Sequence, residues 1–101
     1  MKLVFRSSTV PDLKWFRRYY STVFPEGEKH ARHHYLQSCR TLMEHPLVGH
    51  SVGTDTPVRE LSIPRTPFSF VYYVTGEEIM IIRVLDARAE RPGSFNYRIS
   101  V

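Results

Sequence analysis

The stretch VRELSIPRTPFSFVYYVTGEEIMIIRVLDARAERP, Val58 to Pro92, holds three strand signals in a row. Val58 to Ile63, Phe68 to Val74 and Ile79 to Leu85 are rich in β-branched and aromatic residues. Between them lie Pro64-Arg65-Thr66-Pro67 and Thr75-Gly76-Glu77-Glu78, connections short enough for hairpins, so the segment predicts an antiparallel meander. Prolines flanking Arg65 and Thr66 cannot donate ladder hydrogen bonds, which predicts a stiff, wider, exposed turn there. The third strand is apolar at almost every position, as is much of the second, whereas a sheet wetted on one face alternates. Both sheet faces therefore need cover.

Upstream, Lys2 to Arg6 reads as a short strand ended by Ser7-Ser8-Thr9. Thr9 with Asp12 resembles a capping box, Pro11 fits a first helical turn, and Leu13, Phe16, Tyr20, Val23 and Phe24 repeat at helical spacing. Pro25-Glu26-Gly27 breaks that pattern, which resumes with Ala31, Tyr35, Cys39, Leu42 and Met43 until Pro46. So short a connection makes the two helices antiparallel neighbours sharing one apolar face. Leu47 to Pro57 reads as a loop. The prediction is an α+β domain of order β-α-α-β-β-β, a helical hairpin packed on a mostly antiparallel sheet. The hairpin covers one sheet face, and the other is left to Asp86 to Val101 or to a partner.

At 101 residues the chain is expected to form one domain, 1–101. Its longest uninterrupted apolar run, Ile79 to Ile82, is far below the roughly 20 residues of a membrane span, and Met1 to Val10 offers no signal-peptide core. A membrane protein is thereby excluded, and a cytoplasmic location is expected. The lone Cys39 allows neither an internal disulfide nor a thiolate zinc site. The net charge of +4 comes entirely from residues 1–45, with eight Lys or Arg against four acids; residues 46–101 hold six of each. An acidic partner would meet the first half.

Individual signals for chemistry are weak. His30 and His34 have the one-turn spacing of a metal pair, but Ala31 stands where HExxH needs Glu, and a solvated basic face is the better reading. Cys39 lies on an apolar stripe, so it reads as core. Trp15 and Tyr19 either widen the apolar face of the first helix or anchor a partner. Arg59, Arg65, Arg83, Arg88 and Arg91 could hold phosphates, but Glu60, Asp86 and Glu90 among them suit ion pairs equally well. No catalytic constellation, metal site or cofactor motif emerges.

The element order, with Ser7 to Tyr20 (SSTVPDLKWFRRYY) and Val58 to Pro92, resembles the RelE/ParE family of toxins from bacterial type II toxin-antitoxin (plasmid stabilisation) modules. Its most specific parts are Arg59 to Leu61, Pro64 to Phe68 and Ile82-Arg83-Val84-Leu85, which look most like ParE-type members. The resemblance implies an antitoxin whose C-terminal segment wraps the toxin in a hetero-oligomer. It also implies either poisoning of DNA gyrase or RelE-like cleavage of ribosome-bound mRNA. The in-register nuclease positions hold Glu60, Ser62, Ser69, Ala89 and Phe95, which lack the cationic donors and phenol that cleavage needs. Asp86 stands where many members have His. The expectation is a growth-inhibiting, ParE-like gyrase binder without catalysis or direct nucleic-acid binding of its own. Arg83, Arg88 and Arg91 would face the target, and Trp15, Tyr19, Arg59 and Arg65 the antitoxin. The alternatives are a nuclease with a rearranged site, built from Arg59, Arg83, Arg88, Arg91 and Tyr97, and a non-toxic relic that only binds antitoxin.

Overall fold

The computed structural model describes residues 1–88. Five strands form one sheet in the order β1-β5-β4-β3-β2, comprising β1 (Lys2–Phe5), β2 (His50–Ser51), β3 (Arg59–Ser62), β4 (Phe68–Val74) and β5 (Glu78–Asp86). The expected meander is β3-β4-β5, with antiparallel pairing throughout. β1 lies parallel to β5, Leu3 beside Ile79 and Phe5 beside Ile81. Helices α1 (Val10–Arg18) and α2 (Glu28–Glu44) cover one face. That face buries Phe68, Phe70 and Tyr72 of β4 and Ile79, Ile81 and Val84 of β5 against Tyr19, Tyr20, Ala31, Cys39 and Leu42. Burial pushes the Cys39 thiol up to about 11, consistent with its reading as core.

Ring contacts dominate this layer. Phe68 lies 4.8 Å from Phe16, 5.8 Å from Tyr19 and 6.1 Å from Tyr20, centroid to centroid. Tyr35 bridges Phe16, Phe5 and Phe70. Two consecutive tyrosines point inward because α1 runs on into a π-helical turn, Tyr19–Val23, closed by the Phe24 N–H donating to the Tyr19 carbonyl at 2.9 Å. The wider turn breaks the 3.6-residue period. Val23 and Phe24, expected on the apolar face, are consequently exposed.

Three other expectations are corrected. Thr9 and Asp12 form no capping box: the Thr9 hydroxyl donates to the Arg6 carbonyl at 2.7 Å, and Asp12 reaches β5 instead. Met43 lies off the buried stripe of α2 and is exposed. The Leu47–Pro57 segment is more than a loop, because β2 adds to β3 and Val52 packs on the far sheet face with Ile82 against the buried Val58, Val71 and Leu85. Gly49 makes this return possible, since a Cβ there would lie 2.7 Å from the Tyr72 hydroxyl, which accepts the Gly49 N–H at 2.8 Å. Among the described residues, no helix is long and apolar enough to cross a membrane.

Candidate functional site

The helical hairpin carries a groove on its outer side. Leu13, Phe16, Tyr20 and Tyr35 make its apolar floor, and Arg17, Glu28 and Arg32 its rim, enclosing about 430 Å³. A second depression of about 480 Å³ continues along α1, lined by Val10, Leu13, Lys14, Arg17, Arg18 and Ser21. The two share Leu13, Arg17 and Ser21. Apolar floor and cationic edge both follow from α1 itself, whose Leu13, Phe16 and Tyr20 recur three and four apart while Arg17, one turn after Leu13, and Lys14 and Arg18 beside it border them. An elongated apolar surface edged with positive charge suits an amphipathic, acidic polypeptide segment.

At one end of the hairpin, the last residues of β5 meet α1. Asp86 is buried and paired across the ladder with Phe68, which turns it toward the helices. Its carboxylate accepts from Trp15 Nε1 at 2.9 Å, from the Arg88 backbone N–H at 3.0 Å, and from the Arg88 guanidinium at 3.1 and 3.0 Å. Arg88 also donates to the Tyr19 hydroxyl at 3.0 Å, with its Cζ 4.4 Å from the Tyr19 ring centroid. Burial alone would raise the Asp86 pKa. The hydrogen bonds from Arg88 and Trp15, with the Arg88 charge, outweigh it and hold the carboxyl below its ordinary value. The hydrogen bond to Asp86 likewise raises Arg88.

A carboxyl depressed in the folded state contributes stability that is full above its unfolded value, near pH 4, and lost as pH falls through the lower folded value. Asp86→Asn is therefore expected to cost about 1 to 2 kcal/mol at pH 7 and to converge on the wild type in acid. Trp15 is the only tryptophan and donates directly to Asp86, so its fluorescence reports this titration. A constant gap between the two proteins from pH 7 to pH 2 would contradict the assignment.

A solved structure described as "Chromosomal ParDE TA system from P. aeruginosa" contains a chain 28% identical to this one, with a TM-score of 0.62 over 83% of this chain and 92% of that chain. The chain is ParE-like. No protein-family model and no curated protein matches it.

In this ParE-like chain the arginines singled out from sequence occupy distinct settings. Arg83 forms a two-pronged pair with Asp12 of α1, Nε to Oδ2 at 2.8 Å and a terminal nitrogen to Oδ1 at 3.0 Å, while Asp12 also accepts the Val84 N–H at 2.9 Å. Arg59 donates to the carbonyls of Gly49 at 2.7 Å and Leu47 at 3.2 Å, fastening the β2 segment. Arg65 is exposed in the turn after β3, held in the left-handed region at φ 61°. Arg88 joins Trp15 and Tyr19 around Asp86; Trp15 is 38% exposed, whereas Tyr19 is 8% exposed and part of the core. Arg91, with Ala89, Phe95 and Tyr97, lies outside the described residues.

Of the positions compared with RelE-like nucleases, the three described ones, Glu60, Ser62 and Ser69, face away from the helices. Glu60 is buried on β3, its carboxylate 3.7 Å from His50 Nε2. Ser62 and Ser69 sit opposite each other on β3 and β4. No set of three or more His, Cys, Asp or Glu arranged to hold a metal occurs among the described residues. His34 is lowered by partial desolvation and then by the nearby His33, Arg65 and His30. The role of Asp12 was missed from sequence, because a Thr-x-x-Asp pattern before a helix points to a local cap and carries no sign of a partner 71 positions away.

Proposed function

We propose that this chain is the toxin of a type II toxin-antitoxin module, neutralised by a cognate antitoxin and inhibiting growth by binding DNA gyrase. The observation that carries the reading is its likeness to a chain of a ParDE system over most of both lengths. The antitoxin's acidic amphipathic segment occupies the groove between α1 and α2 and reaches across α1 to Trp15, an exposed anchor outside the groove, with Tyr19 supporting Trp15 from behind and Arg59 and Arg65 engaged at the sheet end. The target meets the end of β5 through Arg88, with Arg83 holding β5 to α1; Arg91, assigned to the target by the family resemblance, lies outside the described residues.

The choice of gyrase over mRNA rests on chemistry. Phosphoryl transfer needs positive or hydrogen-bonding donors aimed at developing charge and groups that move protons. Glu60, Ser62 and Ser69 stand at the compared positions, and a buried carboxylate repels the phosphate it would have to stabilise.

The test is induction of the chain with and without its antitoxin, followed by parallel assays of gyrase supercoiling and of mRNA cleavage on translating ribosomes. Growth arrest relieved by antitoxin, reduced supercoiling and intact mRNA are expected. Codon-linked cleavage with unaffected gyrase would replace this reading by the nuclease, and unimpaired growth with tight antitoxin binding would replace it by the relic. Within the complex, Trp15→Ala is expected to weaken antitoxin binding by about 2 kcal/mol, roughly 30-fold. Calorimetric titration showing wild-type affinity for that variant would remove Trp15 from the interface.

A further inference from the structure

The outer flank of α2 has a property that the proposed toxin function does not use. Five of the nine large hydrophobic side chains exposed among the described residues gather there: Leu36 and Met43 on one side of the helix, Leu47 and Val48 just past its end, and Met1 at the adjoining edge. Leu36 is 57% exposed, Met43 40% and Leu47 63%. The Met1 ammonium donates to the Met43 carbonyl at 3.4 Å, which fixes the N-terminus beside the stripe. An apolar group of this kind on an otherwise charged helix marks an interaction surface.

The charges beside the stripe indicate its occupant. Arg40 and Glu44 are exposed one turn apart, and no ion pair joins them within the chain. Arg four residues before Glu is the less favourable order for a pair within one helix. Glu44 also sits at the C-terminus of α2, where the helix dipole disfavours an anion and no basic residue occupies the last turn. A cation from outside would satisfy it. Two copies of α2 running antiparallel supply that cation symmetrically, because a two-fold axis at residue 42 sets position 40 opposite 44 and position 36 opposite 48, with the two copies of Met43 on either side of the axis. An acidic partner is better served by the cationic groove along α1 than by this balanced stripe.

We propose that the Leu36–Met43–Leu47 flank of α2 is a self-association surface, on which a second copy of this chain packs antiparallel, the two Met43 side chains flanking the two-fold axis, with each Arg40 pairing with Glu44 of the other copy. The contact does not depend on the toxin reading. So few residues place it at the small end of specific interfaces, with a dissociation constant on the order of 10 to 100 µM.

Sedimentation equilibrium of the purified full chain tests it. A concentration-dependent monomer-dimer equilibrium is expected, abolished by Met43→Glu. Arg40→Glu and Glu44→Arg alone should each weaken it about tenfold, and the double reversal Arg40→Glu with Glu44→Arg should restore it to within about threefold. All three positions are exposed, so folding is checked by circular dichroism alongside. A wild-type chain monomeric at every concentration, a dimer indifferent to Met43→Glu, or a double reversal no better than the single changes would each overturn the proposal. A monomeric wild type whose Met43→Glu variant loses antitoxin binding would overturn it too, by giving the stripe to the antitoxin.

Discussion

Phe68→Ala is expected to remove about 4 kcal/mol of folding free energy. Phe68 is fully buried and stands at the junction of three rings, Phe16, Tyr19 and Tyr20, which belong to the two successive helical turns that hold α1 on the sheet. Truncation leaves those rings facing a void they cannot close, because their own positions are fixed by α1 and its π turn. A domain of this size has a total stability of about 5 to 15 kcal/mol, so much of it disappears. The melting temperature should fall on the order of 20 °C. Phe68→Leu, which keeps most of the volume, should cost about 1 to 2 kcal/mol. Thermal denaturation followed in the near ultraviolet reads both. A drop under about 5 °C for the Ala variant would mean that the ring cluster is not the centre of the core.

Asp12→Ala should follow closely, at about 3 kcal/mol. The loss is large because one carboxylate serves three donors: two nitrogens of Arg83 and the backbone N–H of Val84. Asp12 and Arg83 side chains are only 12% and 26% exposed, so water replaces the lost contacts poorly. Arg83→Ala leaves Asp12 the Val84 N–H, and because the two side chains share one ion pair the double variant should cost less than the sum of the two single losses. Denaturant titration of all four proteins checks this; strictly additive losses would refute the coupling. A loss of growth inhibition in Arg83→Ala would mix stability with target contact. Arg88→Ala leaves the Asp12 tie between α1 and β5 intact, and comparing it with Asp86→Asn, which removes the same ion pair but keeps the arginine, separates stability from target contact.

Much of this architecture was legible in the sequence, for local reasons. Each meander strand carries its own β-branched and aromatic run, and Pro64 to Pro67 and Thr75 to Glu78 announce the turns. Ala31, Tyr35, Cys39 and Leu42 recur at a period that only a helix satisfies, and all four lie against the sheet. What stayed hidden depends on distant contacts. Nothing in His50-Ser51 marks a strand, because two residues carry no period; β3 creates that strand by offering an open edge. The apolar repeat of the first helix was extended too far because a π turn changes the count at Tyr19, and the exposure of Val23 and Phe24 follows. Trp15 and Tyr19 look equivalent at a spacing of four, yet one stays partly exposed and the other enters the core against Phe68.

The register of β5 holds a further consequence. Val71 of β4 stands opposite Arg83, but its neighbour Tyr72 stands opposite Ile81, so Ile82 is a supernumerary residue with no partner of its own. Before it, odd-numbered residues, Ile79 and Ile81, face the helices; after it, even-numbered ones do, Val84 and Asp86. Strict alternation from Ile79 onward would have sent Leu85 toward the helices and turned Asp86 to the opposite side, away from Trp15. The parity of the strand, switched by one residue, thus decides on which side of the sheet the chain's last described carboxylate lies, and so where the polypeptide leaving β5 is fastened.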